Sequence, residues 1–532
     1  MLSKIVIKNY RVFHNFTLEF KPGLNILVGD NEMGKTTLLE AIHLALSARV
    51  RGRLLTYELS PYMINQAAAA SYLADVQQGK QPTPPEIIID LFLDKREETA
   101  PLVGTNNSLF ENAPGLRLRA SFSDDYLEEY ERFLASGDEI RLVPTEYYKV
   151  EWLSFCGNAV TSRGVPVTAS FIDAAAIRLQ SGADYYIHQI ITNELQVAER
   201  VELARAYRSL RESFSGREAI ENINVRLTEA YEELGEKAFT LSIDVSQKTS
   251  WESNLVPHLG ELPLQFVGQG AQSALKMLLA LSRSVDDCHA VLIEEPENHQ
   301  SPGSLSALVR RIEERCRGKQ VVMTTHSSYV LNKLGLDNLV LIAASTTLRL
   351  TDLPPDTLAY FKKLSGYDTL RIVLSKRIIL VEGPSDELVV QRAYADVHGL
   401  MPLQDRVDVI NVRGLSFKRF LDIAKPLGKR VDVVTDNDGK DPEEIRAGYK
   451  GYLGDDVPIK MHVGAADSGS TLEPQIVAAN DLTKLNALFK TAHGTQADLT
   501  EWMASDKTGW ALKVLEAEAR ITMPGYIADA VA

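Results

Sequence analysis

Cysteine is scarce in this chain: there are three in 532 residues, Cys156, Cys288 and Cys316. They form neither a CxxC pair nor a Cys/His cluster, so no zinc-site pattern exists and they read as reduced, structural thiols. Long apolar runs are also missing. Those present are too short and too interrupted to span a bilayer, and no membrane partner is expected. The start, Met1-Leu2-Ser3-Lys4-Ile5, enters strand-like alternation without a signal peptide, which leads to the expectation of a cytoplasmic protein. Basic charge is in deficit, with 57 Lys and Arg against 71 Asp and Glu and a formal net charge of -14. That argues against wholesale coating of nucleic acid. It leaves room for a local basic channel, for which Arg49, Arg51 and Arg53, Arg371, Lys376 and Arg377, and the series Arg413, Lys418, Arg419, Lys425, Lys429 and Arg430 are candidates. Internal repeats and low-complexity tracts are absent. What remains is an ordinary globular composition, 45% hydrophobic and 24% charged, in a chain too long for one core.

The patterning divides that length. Residues 1–28 read as three strands with a turn at Pro22-Gly23, and Thr36 to Ala48 carries Leu38, Leu39, Ile42 and Leu46 at helical spacing. Glu86 to Asp94, Leu116 to Phe122 and Ile140 to Phe155 read as antiparallel strands. Residues 184–236 change character, with Val197, Val201, Ala204, Tyr207 and Leu210, then Ile220, Ile223, Leu227, Ala230 and Leu234, at helical spacing around a Ser215-Gly216 break. Two amphipathic helices are expected, serving either as a dimerisation hairpin or as helices packed on their own subunit. Alternation of strand and helix resumes at 237–343. Pro354-Pro355 marks a connector, and a new strand–helix series begins at Arg377.

The first constellation is Gly29-Asp30-Asn31-Glu32-Met33-Gly34-Lys35-Thr36, a GxxxxGK[ST] loop between a strand and a helix. Its glycines let backbone N–H groups wrap a phosphate at a helix N-terminus. Lys35 would reach the outer phosphates and Thr36 would offer a hydroxyl to Mg²⁺, so Gly29, Asn31, Gly34, Lys35, Thr36 and Thr37 form the expected ATP-contacting set. Val291-Leu292-Ile293-Glu294-Glu295 reads as a buried strand ending in acids, with Glu294 for the Mg²⁺ shell and Glu295 for the attacking water. His326, after Val321 to Thr325, reads as a γ-phosphate sensor. Gly268 and Gly270 open another helix with small polar residues, a second anion-binding start that would close over the ATP of a partner subunit.

The second constellation lies in the last third. Glu382 ends an apolar strand, Asp386 flanks the helix that follows, and Asp436 and Asp438 end the strand beginning at Val431. Period-two geometry puts Asp436 and Asp438 on one side of an extended chain. In a parallel sheet these acids converge, and their mutual repulsion calls for a divalent cation, Mg²⁺ or Mn²⁺.

The order of phosphate loop, glycine-bearing helix, Glu-Glu and His resembles the ABC-type ATPase heads of the RecF/SMC kind. Glu294 stands where those proteins more often have Asp, and no lid glutamine can be assigned between residues 86 and 122. Glu382-Gly383 with Asp386, and Asp436-Asn437-Asp438, resemble a Toprim domain. The fusion resembles the OLD (overcoming lysogenisation defect) family of nucleases, which includes the nuclease subunit of Gabija antiphage systems. That resemblance implies an α/β fold with ATPase parts at 1–183 and 237–350, a helical dimerisation insert at 184–236, a connector at 351–376 and a Toprim domain at 377–532. It adds Glu473 as a further metal ligand and Lys507 as the residue that neutralises the phosphate. It also implies DNA as substrate, a homodimer or higher oligomer, an antiphage role, and a helicase-type protein as a partner to consider. Two rivals stand beside it. One is a RecF-type repair ATPase whose Toprim domain only docks partners. The other is a topoisomerase, which needs a nucleophilic tyrosine such as Tyr360, Tyr367 or Tyr394.

Overall fold

The computed structural model describes residues 1–30, 33–50, 52–135, 140–173, 196–230, 241, 258–284, 288–343, 346–363, 371–413, 416–454, 457–506 and 508–532. The chain forms two compact units, a larger one of Met1–Phe171, Cys288–Glu294 and Cys316–Ala532 and a smaller one of Ile172–Asp287 and Glu295–Arg315.

The larger unit contains a sheet in the order Ala169–Asp173, Ala290–Glu294, Gln320–Thr324, Leu24–Val28, Leu339–Ala343 and Thr346–Arg349, except for Ile172 and Asp173 at the end of its first strand. Its central strands are parallel, and Glu294 pairs with Thr324 while Thr324 pairs with Leu27. Val291, Leu292 and Ile293 are fully buried, as continuous apolar runs in a parallel sheet require. A second, antiparallel sheet joins Leu2–Tyr10, Phe13–Glu19, Ile87–Leu93, Ala113–Phe122 and Tyr148–Ser154. The helix Lys35–Ser47 packs against strands of both sheets, which is why Leu38, Leu39, Ala41, Ile42 and Ala45 are all fully buried and not confined to one stripe.

The same unit ends in a parallel four-stranded sheet, ordered Val407–Asn411, Arg377–Val381, Arg430–Thr435, Ile459–Val463. The helices Pro384–His398, Gly509–Glu516 and Gly525–Val531 close on it around Trp510, which is fully buried. Within the expected connector at 351–376 the described residues include the helix Pro355–Lys363, which is tied to this domain by a polar network. Thr357 Oγ1 donates to Asp422 Oδ2 (2.5 Å), Tyr452 OH donates to Asp422 Oδ1 (2.6 Å), and Arg419 donates to Thr357 Oγ1 (2.9 Å). In the smaller unit the expected helical pair is present as Val197–Ser215 and Glu218–Ala230 among the described residues; 184–195 and 231–236 lie outside them. Val201, Leu210, Phe214 and Val225 are more than half exposed on these helices.

A buried ion pair runs through the terminal sheet. Arg377 Nε donates to Asp432 Oδ2 (2.8 Å), His462 Nε2 meets Asp432 Oδ1 (3.0 Å), and Arg377 Nη2 also donates to Ala530 O (2.7 Å). Burial raises the Asp432 pKa, but His462 and Arg377 outweigh it and hold the carboxyl below its ordinary value. Removing one partner of such a pair strands the other charge, so Asp432→Ala is expected to destabilise this domain by roughly 3–5 kcal/mol. Arg446→Ala, which breaks the exposed Arg446–Glu443 pair, is expected to shift stability by less than about 0.5 kcal/mol. Thermal or urea unfolding checks this; equal effects of the two substitutions contradict it.

Candidate functional site

Strand Leu24–Val28 delivers the phosphate loop to the carboxyl edge of its sheet. Gly34 adopts φ +90°, and a Cβ there would lie 2.6 Å from both Phe13 Cζ and Val12 Cγ2, so only glycine fits. Lys35 is buried and curls inward, its Nζ donating to Gly29 O and Asp30 O at 3.0 Å each. Thr36 Oγ1 donates to the Glu294 carboxylate across the sheet edge. Thr325 N donates to Leu27 O (3.2 Å), which sets Thr325 and the half-buried His326 beside the same loop. Glu294, Thr36, Lys35 and the His326 segment thus share one edge. Thr37 is buried in the first turn of the helix, and Asn31 lies outside the described residues.

Glu295 and the glycine-bearing helix belong to the smaller unit. Glu295 sits at φ +39°, and Asn298 Nδ2 donates to its Oε2 (2.9 Å). The helix Gln269–Ser284 is clamped to the turn that follows Glu295. Gln300 Nε2 donates to Gly270 O (3.0 Å), and a Cβ on Gly270 would stand 2.4 Å from His299 O, so this close approach requires glycine. Gly268 is exposed, and its carbonyl accepts from Gln272 N (3.1 Å) at the helix start. Sequence reading did not identify Asn298 and Gln300 as the residues that tie these two stretches together.

The second site forms at the carboxyl edge of the terminal sheet. Glu382 Oε1 accepts from Thr435 Oγ1 and from Asp436 N (3.1 Å), reaching over the neighbouring strand tip. Asp386 Oδ2 accepts from Gly383 N (3.2 Å) at the start of its helix. Asp436 Oδ2 accepts from Leu472 N (3.0 Å), and its Oδ1 accepts from Tyr526 OH (3.1 Å). Burial, then Glu382, then Glu473 push Asp386 up to about 7. Burial, then Asp386 and Glu382, push Asp436 up to about 8. Glu382, Asp386, Asp436 and Glu473 therefore act on one another as a partly buried, all-oxygen set, the donor chemistry of Mg²⁺ or Mn²⁺. Among the described residues no three His, Cys, Asp or Glu side chains stand at ligand spacing about one point.

One expectation fails here. Asp438 does not continue an extended chain from Asp436. The strand ends at Thr435. The buried Asn437 donates to Ala465 O (2.9 Å) and Gly469 O (2.8 Å) and accepts from Gly439 N (2.8 Å), which turns the backbone. Asp438 is left exposed at φ +47°, its N donating to Ser470 O (3.0 Å). Lys507 lies outside the described residues. Of the tyrosines weighed for a topoisomerase, Tyr394 donates to Asp405 (2.6 Å), Tyr360 packs on Phe361 and Phe420, and Tyr367 is outside the described residues. Among the described residues Tyr526 donates to a site carboxylate, far along the chain and carried by no motif.

Protons held near neutrality must leave before a cation binds. Because Asp386 and Asp436 titrate at about 7 and about 8, apparent Mg²⁺ affinity is expected to rise roughly tenfold or more between pH 6.5 and 8.5 and then level off. Calorimetric titration at the two pH values checks this; a pH-independent affinity contradicts it.

Two family models match. Residues 24–332, more than half the chain, match the family described as "AAA domain, putative AbiEii toxin, Type IV TA system". Residues 373–438 match the "Overcoming lysogenization defect protein-like, TOPRIM domain". Curated relatives align over short stretches. The DNA replication and repair protein RecF of Symbiobacterium thermophilum is 48% identical over 48 residues, 9% of this chain and 13% of that protein. The DNA double-strand break repair Rad50 ATPase of Methanopyrus kandleri is 49% identical over 49 residues, 9% and 6% of the two chains. Among solved structures, an Smc head bound to the C-winged helix domain of ScpA is 12% identical at a TM-score of 0.35, covering 66% of this chain and 98% of that one. The ATP-bound recombination mediator RecF is 12% identical at 0.32, covering 66% and 99%. The short overlaps with the curated relatives and the low TM-scores of the solved structures carry no assignment, which rests on the family models. The chain belongs to the AAA-domain family matched at residues 24–332 and, with its OLD-like Toprim domain, is an ATPase–Toprim protein of the OLD kind.

Proposed function

We propose that this protein is an ATP-hydrolysing, divalent-metal-dependent DNA endonuclease that works as a homodimer. The observation that carries the nuclease part is the convergence of Glu382, Asp386 and Asp436, with Glu473 nearby, on one edge of a parallel sheet. Carboxyls pushed up to about 7 and about 8 by burial and by one another are an unfavourable arrangement that a bound cation relieves. A module that only docked partners, as in a RecF-type repair ATPase, has no need of it.

In this reading Lys35 leaves the loop carbonyls to meet the outer phosphates of ATP, while Thr36 and Glu294, already hydrogen-bonded, hold its Mg²⁺. Glu295 orients the attacking water and His326 contacts the γ-phosphate. Gly268 and Gly270 present the helix start that closes on the ATP of a second copy, and the exposed apolar side chains at Val201, Leu210, Phe214 and Val225 bury against that copy. In the nuclease centre, Glu382, Asp386, Asp436 and Glu473 would hold Mg²⁺ or Mn²⁺, and Asp438 stays a candidate ligand on its exposed turn. A cation bound there would supply water activation and stabilisation of the leaving oxygen of the phosphodiester. Lys507 neutralises charge on the phosphate. The antiphage role and a helicase-type partner follow from the OLD resemblance and are part of the same proposal.

The test separates the two centres. Asp436→Ala is expected to lose plasmid cleavage in Mg²⁺ or Mn²⁺ while hydrolysing ATP at the wild-type rate, and Lys35→Ala to lose ATP binding without unfolding. Full cleavage by Asp436→Ala, or loss of both activities in either variant with a normal melting curve, contradicts the reading.

A further inference from the structure

The last helix of the chain, Gly525–Val531, reaches the carboxylate cluster through one side chain. Tyr526 is buried, and its OH donates to Asp436 Oδ1 at 3.1 Å. The opposite oxygen, Oδ2, accepts from Leu472 N at 3.0 Å. Asp436 is therefore gripped at both oxygens, by a side chain from one helix and a backbone N–H from another. The helix that carries Tyr526 is itself pinned. Arg377 Nη2 donates to Ala530 O (2.7 Å), and His398 Nε2 hydrogen-bonds Val531 O (2.7 Å). The Tyr526 ring also lines a cavity of about 360 Å³ together with His462, Gln475 and Asp529. A second tyrosine, Tyr449, stands near Glu382 but spends its ring on Lys418, whose Nζ lies 5.2 Å from the ring centroid.

We propose that Tyr526 is a positioning residue of the nuclease centre, fixing the Asp436 carboxylate by its hydroxyl so that the remaining lone pairs face Glu382 and Asp386. This rests on the reading of those acids as metal ligands. A carboxylate ligand held by an outer hydrogen bond keeps its rotamer when the ion leaves, so the ion rebinds without ordering it afresh. Tyr526 is not a nucleophile in this account: its oxygen is buried and directed at a carboxylate, where an approaching phosphate would meet like charge.

The experiment measures Mn²⁺ binding by calorimetry, and separately plasmid cleavage across Mn²⁺ concentrations, for the wild-type full chain, Tyr526→Phe and Tyr449→Phe. Tyr526→Phe keeps the ring and the cavity wall and removes only the hydroxyl. It is expected to weaken Mn²⁺ binding by about tenfold and to regain cleavage at high Mn²⁺, with ATP hydrolysis and the metal-free melting curve unchanged. Tyr449→Phe is expected to stay within about twofold of wild type throughout. Mn²⁺ affinity unchanged in Tyr526→Phe, or lowered equally in Tyr449→Phe, overturns the positioning role. So does a covalent DNA adduct on Tyr526 of the wild-type protein. A wild-type protein that binds no Mn²⁺ overturns the metal-centre reading beneath it and the role of Tyr526 with it.

Discussion

A parallel sheet brings the carboxyl ends of its strands to one edge, and the described parts of both candidate centres in the larger unit depend on that constraint. In the first sheet, registers from Glu294 through Thr324 to Leu27 align an acid and a histidine segment with a glycine loop that lies far earlier in the sequence. In the terminal sheet, the register of Val381 with Asn411 and of Leu380 with Val433 does the same for Glu382 and Asp436. The strands pair through apolar runs, and the polar groups arrive because they follow directly after them.

The terminal domain carries carboxylates of opposite tendency along one strand and its tip. Asp432 lies between Arg377 and His462 and is held below its ordinary value, whereas Asp436 faces other acids and is pushed up to about 8. Burial acts in the same direction on both, so it does not distinguish them; the partners do. Asp432 organises the fold, tying the strands to the final helix through Arg377. Asp436, with Asp386, is in an electrostatically unfavourable place that the same core has to hold together. Trp510, Phe489 and the fully buried strand side chains Ile379 and Val381 supply the apolar packing that offsets it.

The ATPase part was largely legible because its chemistry is contiguous. A phosphate loop must wrap an anion within a few residues, so glycine spacing, strand and helix appear together. Glu294 was legible for a similar reason, as an acid directly after an apolar strand. The alternation from Asp436 to Asp438 misled because it assumed that the strand continued. The side chain of Asn437 took backbone carbonyls from a distant loop instead and reversed the chain, an interaction no local pattern encodes. Asp432, inside an apolar strand, reads as ordinary alternation until its two partners are seen. Tyr526 and Asn298 were invisible for want of any spacing rule: each acts on a carboxylate through a contact that only the fold creates.

The central claim is that the strand tips at Glu382 and Asp436, with Asp386 at the start of the helix that follows Glu382, form a metal centre. Anomalous diffraction from crystals soaked in Mn²⁺ tests it most directly. The account predicts a strong peak within coordination distance of the Asp436 and Glu382 carboxylates, and its loss in Asp436→Ala crystals. Mn²⁺ peaks that avoid these carboxylates, with the protein saturated and at a pH above 8, would contradict it.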